Sequence, residues 1–225
     1  MNIKSFFFPT VCMFCGQFAC EDDLPVCRDC IRKMSRLLAE KCFTCGKYAF
    51  DCQCRDAGLV YFLFFYGNRF SKRIIRRVKE DADKSTVEFL CRMLLSLTGI
   101  GIRKFDCVTY VPRSLRSKRR TGYDQSQLLA ESVSKYTGIP LVHSLVRVGG
   151  EEQKLLGASD RRKNMLKRYR VKDKLVSEGK GLGSVLLVDD VCTTGATLYA
   201  CATLLRRAGA DTVTPLALAK TNFKK

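Results

Sequence analysis

Four apolar residues, Val185 to Val188, run without a break between Gly183 and the pair Asp189-Asp190. A run of that length, closed by polar residues, fits a buried strand. Leu198, Cys201, Ala202 and Leu205 then recur at i, i+3, i+4 and i+7, one face of a helix ending near Gly209. Residues 193–197 therefore lie where a strand's carboxyl end hands over to a helix N-terminus. Upstream, residues 59–66 form an aromatic and apolar run closed by Gly67-Asn68, the first strand expected of a main domain. Phe70, Ile74, Ile75 and Val78 follow at helical spacing, with Lys72, Arg73, Arg76, Arg77 and Lys79 between them, which predicts a basic amphipathic helix.

Residues 106–111 predict a further strand leading into Pro112-Arg113. Asp124 opens a helix whose apolar face is Leu129, Val133 and Tyr136 and which Gly138 ends. Asp124-x-x-Gln127 has the form of a capping box. The single histidine, His143, stands in an apolar segment and is expected at a packing or surface position. Residues 147–168 are polar and basic, broken by Gly149-Gly150 and Gly157, and predict a mobile loop followed by a short helix. The alternation of strand and helix over 106–219 predicts an α/β fold, a parallel sheet with flanking helices. Ligands of such sheets bind outside the carboxyl ends of the strands, where Arg113 and the 189–197 stretch both fall.

Composition adds a second unit. Nine of the 13 cysteines lie between Cys12 and Cys54. The pairs Cys12-x-x-Cys15, Cys27-x-x-Cys30 and Cys42-x-x-Cys45 are followed by Cys52-x-Cys54. Close pairs of thiolates chelate a tetrahedral ion, and two pairs complete a closed, structural zinc shell. Taken in order they predict one site at Cys12, Cys15, Cys27 and Cys30 and a second at Cys42, Cys45, Cys52 and Cys54. Cys20 is the odd thiol. The expected division is a cysteine-rich zinc-binding module over 1–57 and a main domain over 58–225. No run reaches the roughly 20 apolar residues of a membrane span, and the reduced, metal-type cysteine usage is that of a cytoplasmic protein.

The formal net charge of +18 is uneven. Residues 1–68 carry 8 Lys/Arg against 7 Asp/Glu, while 69–120 carry 15 against 5. Two zinc ions would turn eight thiols into two clusters of charge −2 and bring the whole to about +14, so the positive field belongs to the main domain. Arg116, Lys118, Arg119 and Arg120 follow Arg113 closely, and guanidinium groups grip phosphate oxygens in bidentate fashion. At the other end of the rim, a helix N-terminus at residues 193–197 suits a single phosphate, and Asp189 and Asp190 suit a diol. No Walker loop, helix-turn-helix or Ser-His-Asp arrangement is present.

The segment Val185-Leu-Leu-Val-Asp-Asp-Val-Cys-Thr-Thr-Gly-Ala-Thr197 resembles the 5-phosphoribosyl-1-pyrophosphate loop of type I phosphoribosyltransferases. The whole chain is similar to the ComF (competence protein) family, a zinc ribbon module fused to that transferase fold. Gln153-x-x-Leu156-x-x-x-x-Arg161-x-x-Asn164 resembles a second signature of the family, and Val111-Pro112 with Arg119, Gly122-Tyr123 and Gln125 a first. Ser114, Thr121 and Asp124 depart from the family's usual His, Arg and Asn. The resemblance implies that Asp189 and Asp190 contact the ribose hydroxyls and that Thr193, Thr194, Gly195, Ala196 and Thr197 enclose the 5′-phosphate. It also implies that Gln153, Arg161 and Asn164 contact the substrate.

Arg113, Arg119 and Lys79 are candidates for the diphosphate from their charge and place. The implied ligand is 5-phosphoribosyl-1-pyrophosphate with Mg²⁺, and the implied activity is transfer of the phosphoribosyl group to an unidentified acceptor. The alternative is a non-catalytic single-stranded DNA-binding protein of the DNA-uptake machinery, with a helicase-like partner. For that role Tyr123 and Tyr169, interleaved with arginines, are the candidate stacking residues.

Overall fold

The structure is a computed structural model describing residues 11–12, 14–17, 26–35, 41–42, 59–67, 69–80, 84–98, 105–148, 165–172 and 181–221. The cysteines at 45, 52 and 54, and Gln153, Arg161 and Asn164, lie outside them, so the expected second zinc site and the expected substrate-binding loop are not described. Helix α1 (Arg28–Ser35) and strand β1 (Lys41–Cys42) come first. They are followed by β2 (Leu59–Tyr66), α2 (Arg69–Glu80), α3 (Lys84–Thr98), β3 (Cys107–Tyr110), α4 (Leu115–Thr121) and α5 (Gln125–Thr137). Strands β4 (Leu145–Arg147), β5 (Tyr169–Val171) and β6 (Gly183–Cys192), helix α6 (Ala196–Arg207) and strand β7 (Ala210–Thr221) complete the order.

The main sheet has the order β1-β2-β7-β6-β3. Strands β2, β7, β6 and β3 are parallel, and β1 is antiparallel to β2 at the edge. Such strands are buried on both faces, which explains the near-continuous apolar runs. One face packs Ile74 and Val78 of α2, Leu90 and Leu94 of α3, and Leu129 and Val133 of α5 against Leu186 and Val188. The other packs Leu198, Cys201 and Leu205 of α6 against Val60, Phe62, Val185, Leu187 and Val213.

The expected helices at α2, α5 and α6 and the expected strands at β2, β3 and β6 all occur. Three details differ from expectation. The sheet is not the whole of the 106–219 alternation, because β4 and β5 pair with each other in a separate two-stranded antiparallel sheet. Tyr136 is exposed at 54% and stands beside the Arg92 guanidinium instead of joining the α5 face. Strand β6 runs on to Cys192, so the aspartates belong to the strand and the run 185–188 is only its apolar middle.

The cysteine knuckle is seated in the first core. Cys12, Phe14, Cys27 and Cys30 are buried in the same cluster as Phe64, Ile74 and Val78. Phe14, between the two cysteines of its pair, places its ring edge-on to Phe70 at 5.6 Å and tilted to Phe89 at 6.4 Å. Its carbonyl accepts a hydrogen bond from Arg73 Nη1 at 3.0 Å.

Candidate phosphoribosyl site and zinc knuckle

The Sγ atoms of Cys12, Cys15, Cys27 and Cys30 all lie within 4.8 Å of one another. Gly16, at φ 78°, makes the left-handed turn that brings the chain back past Cys12, with its amide on the Cys12 carbonyl at 2.9 Å. Cys27 precedes α1 and Cys30 sits in its first turn, where burial first and then the neighbouring thiols push its own thiol up. Burial works to raise the Cys12 thiol, yet main-chain hydrogen bonds from Cys27, Cys15 and Phe14 bring it down to about 7. Four convergent sulfurs with a main-chain amide shell fit a tetrahedral Cys₄ ion, and the donor set fits zinc.

The other candidates gather at the carboxyl rim of the sheet. Asp190, near the end of β6, accepts from Arg113 Nη2 at 2.7 Å, and Lys79 Nζ of α2 stands 3.6 Å from the same oxygen. The adjacent Val191 amide donates to its other oxygen at 2.7 Å. Asp189 is buried and accepts from Ser126 Oγ at 3.0 Å and from the Asp190 amide at 2.9 Å. Burial first, and then the charge of Asp190, hold its carboxyl well above the usual aspartate range. Of two adjoining carboxylates, one faces two cations and the other favours its proton.

Beyond β6, residues 193–195 turn sharply and Gly195, at φ 75°, opens α6. That left-handed backbone needs glycine, which as N-cap of a 12-residue helix supplies no side-chain acceptor, and the Ala196 amide donates to Thr194 Oγ1 at 3.4 Å. Thr221 Oγ1, from the end of β7, donates to the Thr193 carbonyl at 3.1 Å, and Thr197 Oγ1 contacts Met165 Sδ at 4.0 Å. The loop is thereby tied to the neighbouring strand and to the segment before β5.

The three positions that depart from the family pattern all hold the backbone. Ser114 caps α4 by accepting from the Ser117 amide at 3.1 Å. Thr121 Oγ1 contacts the Ser117 and Tyr123 carbonyls, at 3.0 and 2.8 Å. Asp124 caps α5 as its spacing predicts, accepting from the Gln127 amide at 3.4 Å. The reciprocal half of a capping box is absent from the contacts of Gln127, whose side chain donates to Glu131 and accepts from Tyr110. Buried Asp124 also accepts the Arg113 amide at 2.9 Å and pairs with Lys118 at 3.0 Å.

Sequence patterns join Lys79, Arg113, Asp189 and Asp190 only as separate candidates, and the structure brings them to one place. Arg119 is exposed on α4 and takes no part in the described contacts of that cluster. Tyr169 is buried in the second core and does not stand free to stack a base, while Tyr123 is half-buried with its hydroxyl on the Lys79 carbonyl. His143 is exposed and meets the Tyr110 hydroxyl at 3.1 Å. Sequence reasoning missed Ser126, for which a serine in a helix's first turn gives no signal. It also missed Lys220, buried at the rim with its ammonium 5.7 Å from the Phe62 ring. A lysine closing the apolar run Leu216-Ala-Leu-Ala was the available signal.

No family model matches the chain. It is 35% identical over 104 residues to Competence protein F of Haemophilus influenzae, covering 45% of this chain and 44% of that protein, less than half of its length. It is 28% identical over 214 residues to DNA utilization protein YhgH of Escherichia coli O157:H7, covering 94% and 85%. With Competence protein ComFC of Bacillus subtilis it shares 24% identity over 206 residues, covering 85% and 82%. The relatives matched over most of this chain are thus named for DNA utilisation and competence. An adenine phosphoribosyltransferase matches over 86% of this chain and 91% of its own, at 12% identity and a TM-score of 0.43. The glutamine phosphoribosylpyrophosphate amidotransferase of B. subtilis matches at 26% identity and 0.41, over 60% of this chain and 26% of its own. These are loose likenesses of chain path, and the fold rests on the strand order and register.

Proposed function

We propose that the rim binds 5-phosphoribosyl-1-pyrophosphate with Mg²⁺, in a protein serving DNA uptake or utilisation. One observation carries the reading: Lys79, Arg113 and Asp190, from three separate elements, meet beside the loop that opens α6. Residues 193–197 would hold the 5′-phosphate on the first amides of α6, the most favourable place for it electrostatically. Asp189 and Asp190 would take the ribose hydroxyls, and Arg113, Lys79 and Arg119 the diphosphate. Gln153, Arg161 and Asn164 would complete the substrate contacts.

The two carboxylates are already engaged by Arg113, Lys79 and Ser126. They leave no dedicated oxygen cage, and Mg²⁺ fits as an ion carried on the diphosphate. Bound there, it would supply charge neutralisation of the leaving group. In the transfer reaction, the bond from C1 to the diphosphate oxygen breaks with its electron pair leaving on oxygen. A nitrogen acceptor's lone pair then forms the new bond to C1. The chain's part is to position and to balance charge, without a covalent nucleophile.

Calorimetric titration with 5-phosphoribosyl-1-pyrophosphate and Mg²⁺ tests the reading. Saturable binding is expected, weakened at least tenfold by Asp190→Ala, and no binding at millimolar ligand would overturn it. A second reading, single-stranded DNA binding without turnover, rests on the exposed Arg116, Arg119 and Arg120 of α4 and on the names of the relatives.

A further inference from the structure

Four consecutive residues before and in the first turn of α5 hold three parts of the rim. The Tyr123 hydroxyl donates to the Lys79 carbonyl at 2.7 Å, and Gln125 Nε2 approaches the same carbonyl at 3.4 Å. Asp124 takes the Arg113 amide at 2.9 Å, and Ser126 Oγ donates to Asp189 at 3.0 Å. The three residues so held come from the end of α2, the turn after β3 and the end of β6.

The residues doing the holding are themselves fixed. Asp124, Gln125 and Ser126 are buried to 3% exposure or less, and Gly122, at φ 78°, sets the turn that feeds them into α5. Lys79 ends a helix whose last carbonyls have no intrahelical partner. The two donors on its carbonyl therefore replace water there and fix where the ammonium emerges, beside Asp190. Gln125 Oε1 is buried without a partner, so this residue keeps its place against the cost of an unsatisfied acceptor.

We propose that the segment Tyr123–Ser126 is the positioning element of the phosphoribosyl site, setting Lys79 through Tyr123, Arg113 through Asp124 and Asp189 through Ser126. The proposal rests on the reading of the rim as a phosphoribosyl pyrophosphate site. It makes Tyr123, Asp124 and Ser126 positioning residues that touch no substrate. Asp124 meets a main-chain amide, Lys118 and a helix N-terminus together.

The test uses the full chain and two readouts. In the ligand-free protein, acylation of lysines followed by mass spectrometry reads the placement of Lys79, whose side chain is 39% exposed. Tyr123→Phe is expected to raise Lys79 labelling several-fold while Lys84 is unchanged. Unchanged Lys79 labelling would overturn the proposal, whatever the protein binds. In titrations with 5-phosphoribosyl-1-pyrophosphate and Mg²⁺, Tyr123→Phe and Ser126→Ala are each expected to weaken Kd about 5- to 30-fold, and Ser126→Thr to restore most of the loss. Tyr123→Phe should have no further effect in a Lys79→Ala background, because it acts through that residue. Additive losses in that cycle would overturn the assignment of Tyr123. If the wild type binds no ligand, the phosphoribosyl reading falls and the labelling result alone decides on the positioning element.

Discussion

Asp189 holds its proton more tightly in the folded chain than in the unfolded one, because burial and the neighbouring Asp190 charge penalise its ionised form. A carboxyl with that shift contributes stability that is fully present below the unfolded value of about 4 and is lost as pH rises through the higher folded value. Asp189→Asn removes the cost while keeping an oxygen for Ser126. The variant is expected to be more stable than the wild type at pH 8 by about 1–3 kcal/mol. That is a rise in Tm of roughly 3–8 °C for a chain of this size, with the difference shrinking towards pH 4.5. Scanning calorimetry at the two pH values checks the sign, and an equal gain at both would show that ionisation is not its source. The same substitution should abolish binding of the phosphoribosyl ligand. Stability and function oppose each other at this residue.

The motif at 189–197 was legible because its parts are adjacent: an apolar run, two acids, a glycine and a helical stripe. Its partners were legible only as types of residue. Nothing local says that Lys79, ending α2, faces Asp190 across 111 positions of chain, or that Ser126 turns inward while Ser132 and Ser134 of the same helix bond to main chain. Such pairings come from tertiary packing, which has no period.

Among the elements, helix α2 was read correctly from its spacing, and burial of Ile74, Ile75 and Val78 follows the predicted face. Helix α3 escaped the sequence reading. Val87, Leu90, Cys91, Leu94 and Leu95 do fall on one buried face, but Phe89, Met93 and Leu97 widen the apolar stripe and blur the period. Strands β4 and β5, of three residues each, are too short to carry an alternation.

Helix α2 also joins the two chemistries of the molecule. Its first turn holds Phe70 against Phe14 of the cysteine knuckle, and nine residues later, about 13–14 Å along the axis, Lys79 meets Asp190. Truncating the buried Phe14 to Ala removes that wedge and is expected to cost about 3–5 kcal/mol. Because the knuckle shares its core with the sheet, chemical denaturation should show one transition moved to lower denaturant. A separate early transition with the main one unmoved would mean that the knuckle unfolds independently.

At the scale of the whole molecule, the 1–68 stretch is nearly balanced in charge and the excess of cations lies in the remainder. If exposed α4 arginines hold single-stranded DNA, affinity must fall with salt, by about 0.7 in log K per log salt for each phosphate neutralised. Arg116→Glu with Arg120→Glu is then expected to weaken binding and to flatten that slope by roughly 1.4. A slope unchanged in the double variant would place the DNA elsewhere. Among the described residues no helix is long and apolar enough to cross a membrane.

The strand order has a consequence for the birth of the protein. Strand β7, the last described element, lies between β2 and β6, and β2 has no other parallel neighbour. During synthesis the aromatic run of β2 leaves the ribosome about 150 residues before the strand that will cover its edge, a long wait for a sticky surface. The early cysteines can be wrapped round a metal meanwhile, but Phe64 and its neighbours must be kept from other chains until residue 221 has emerged. A chain stopped at Gly209 is expected to collect in the insoluble fraction on expression, where the full chain does not. Closure of the sheet therefore waits on β7, the last of the described strands.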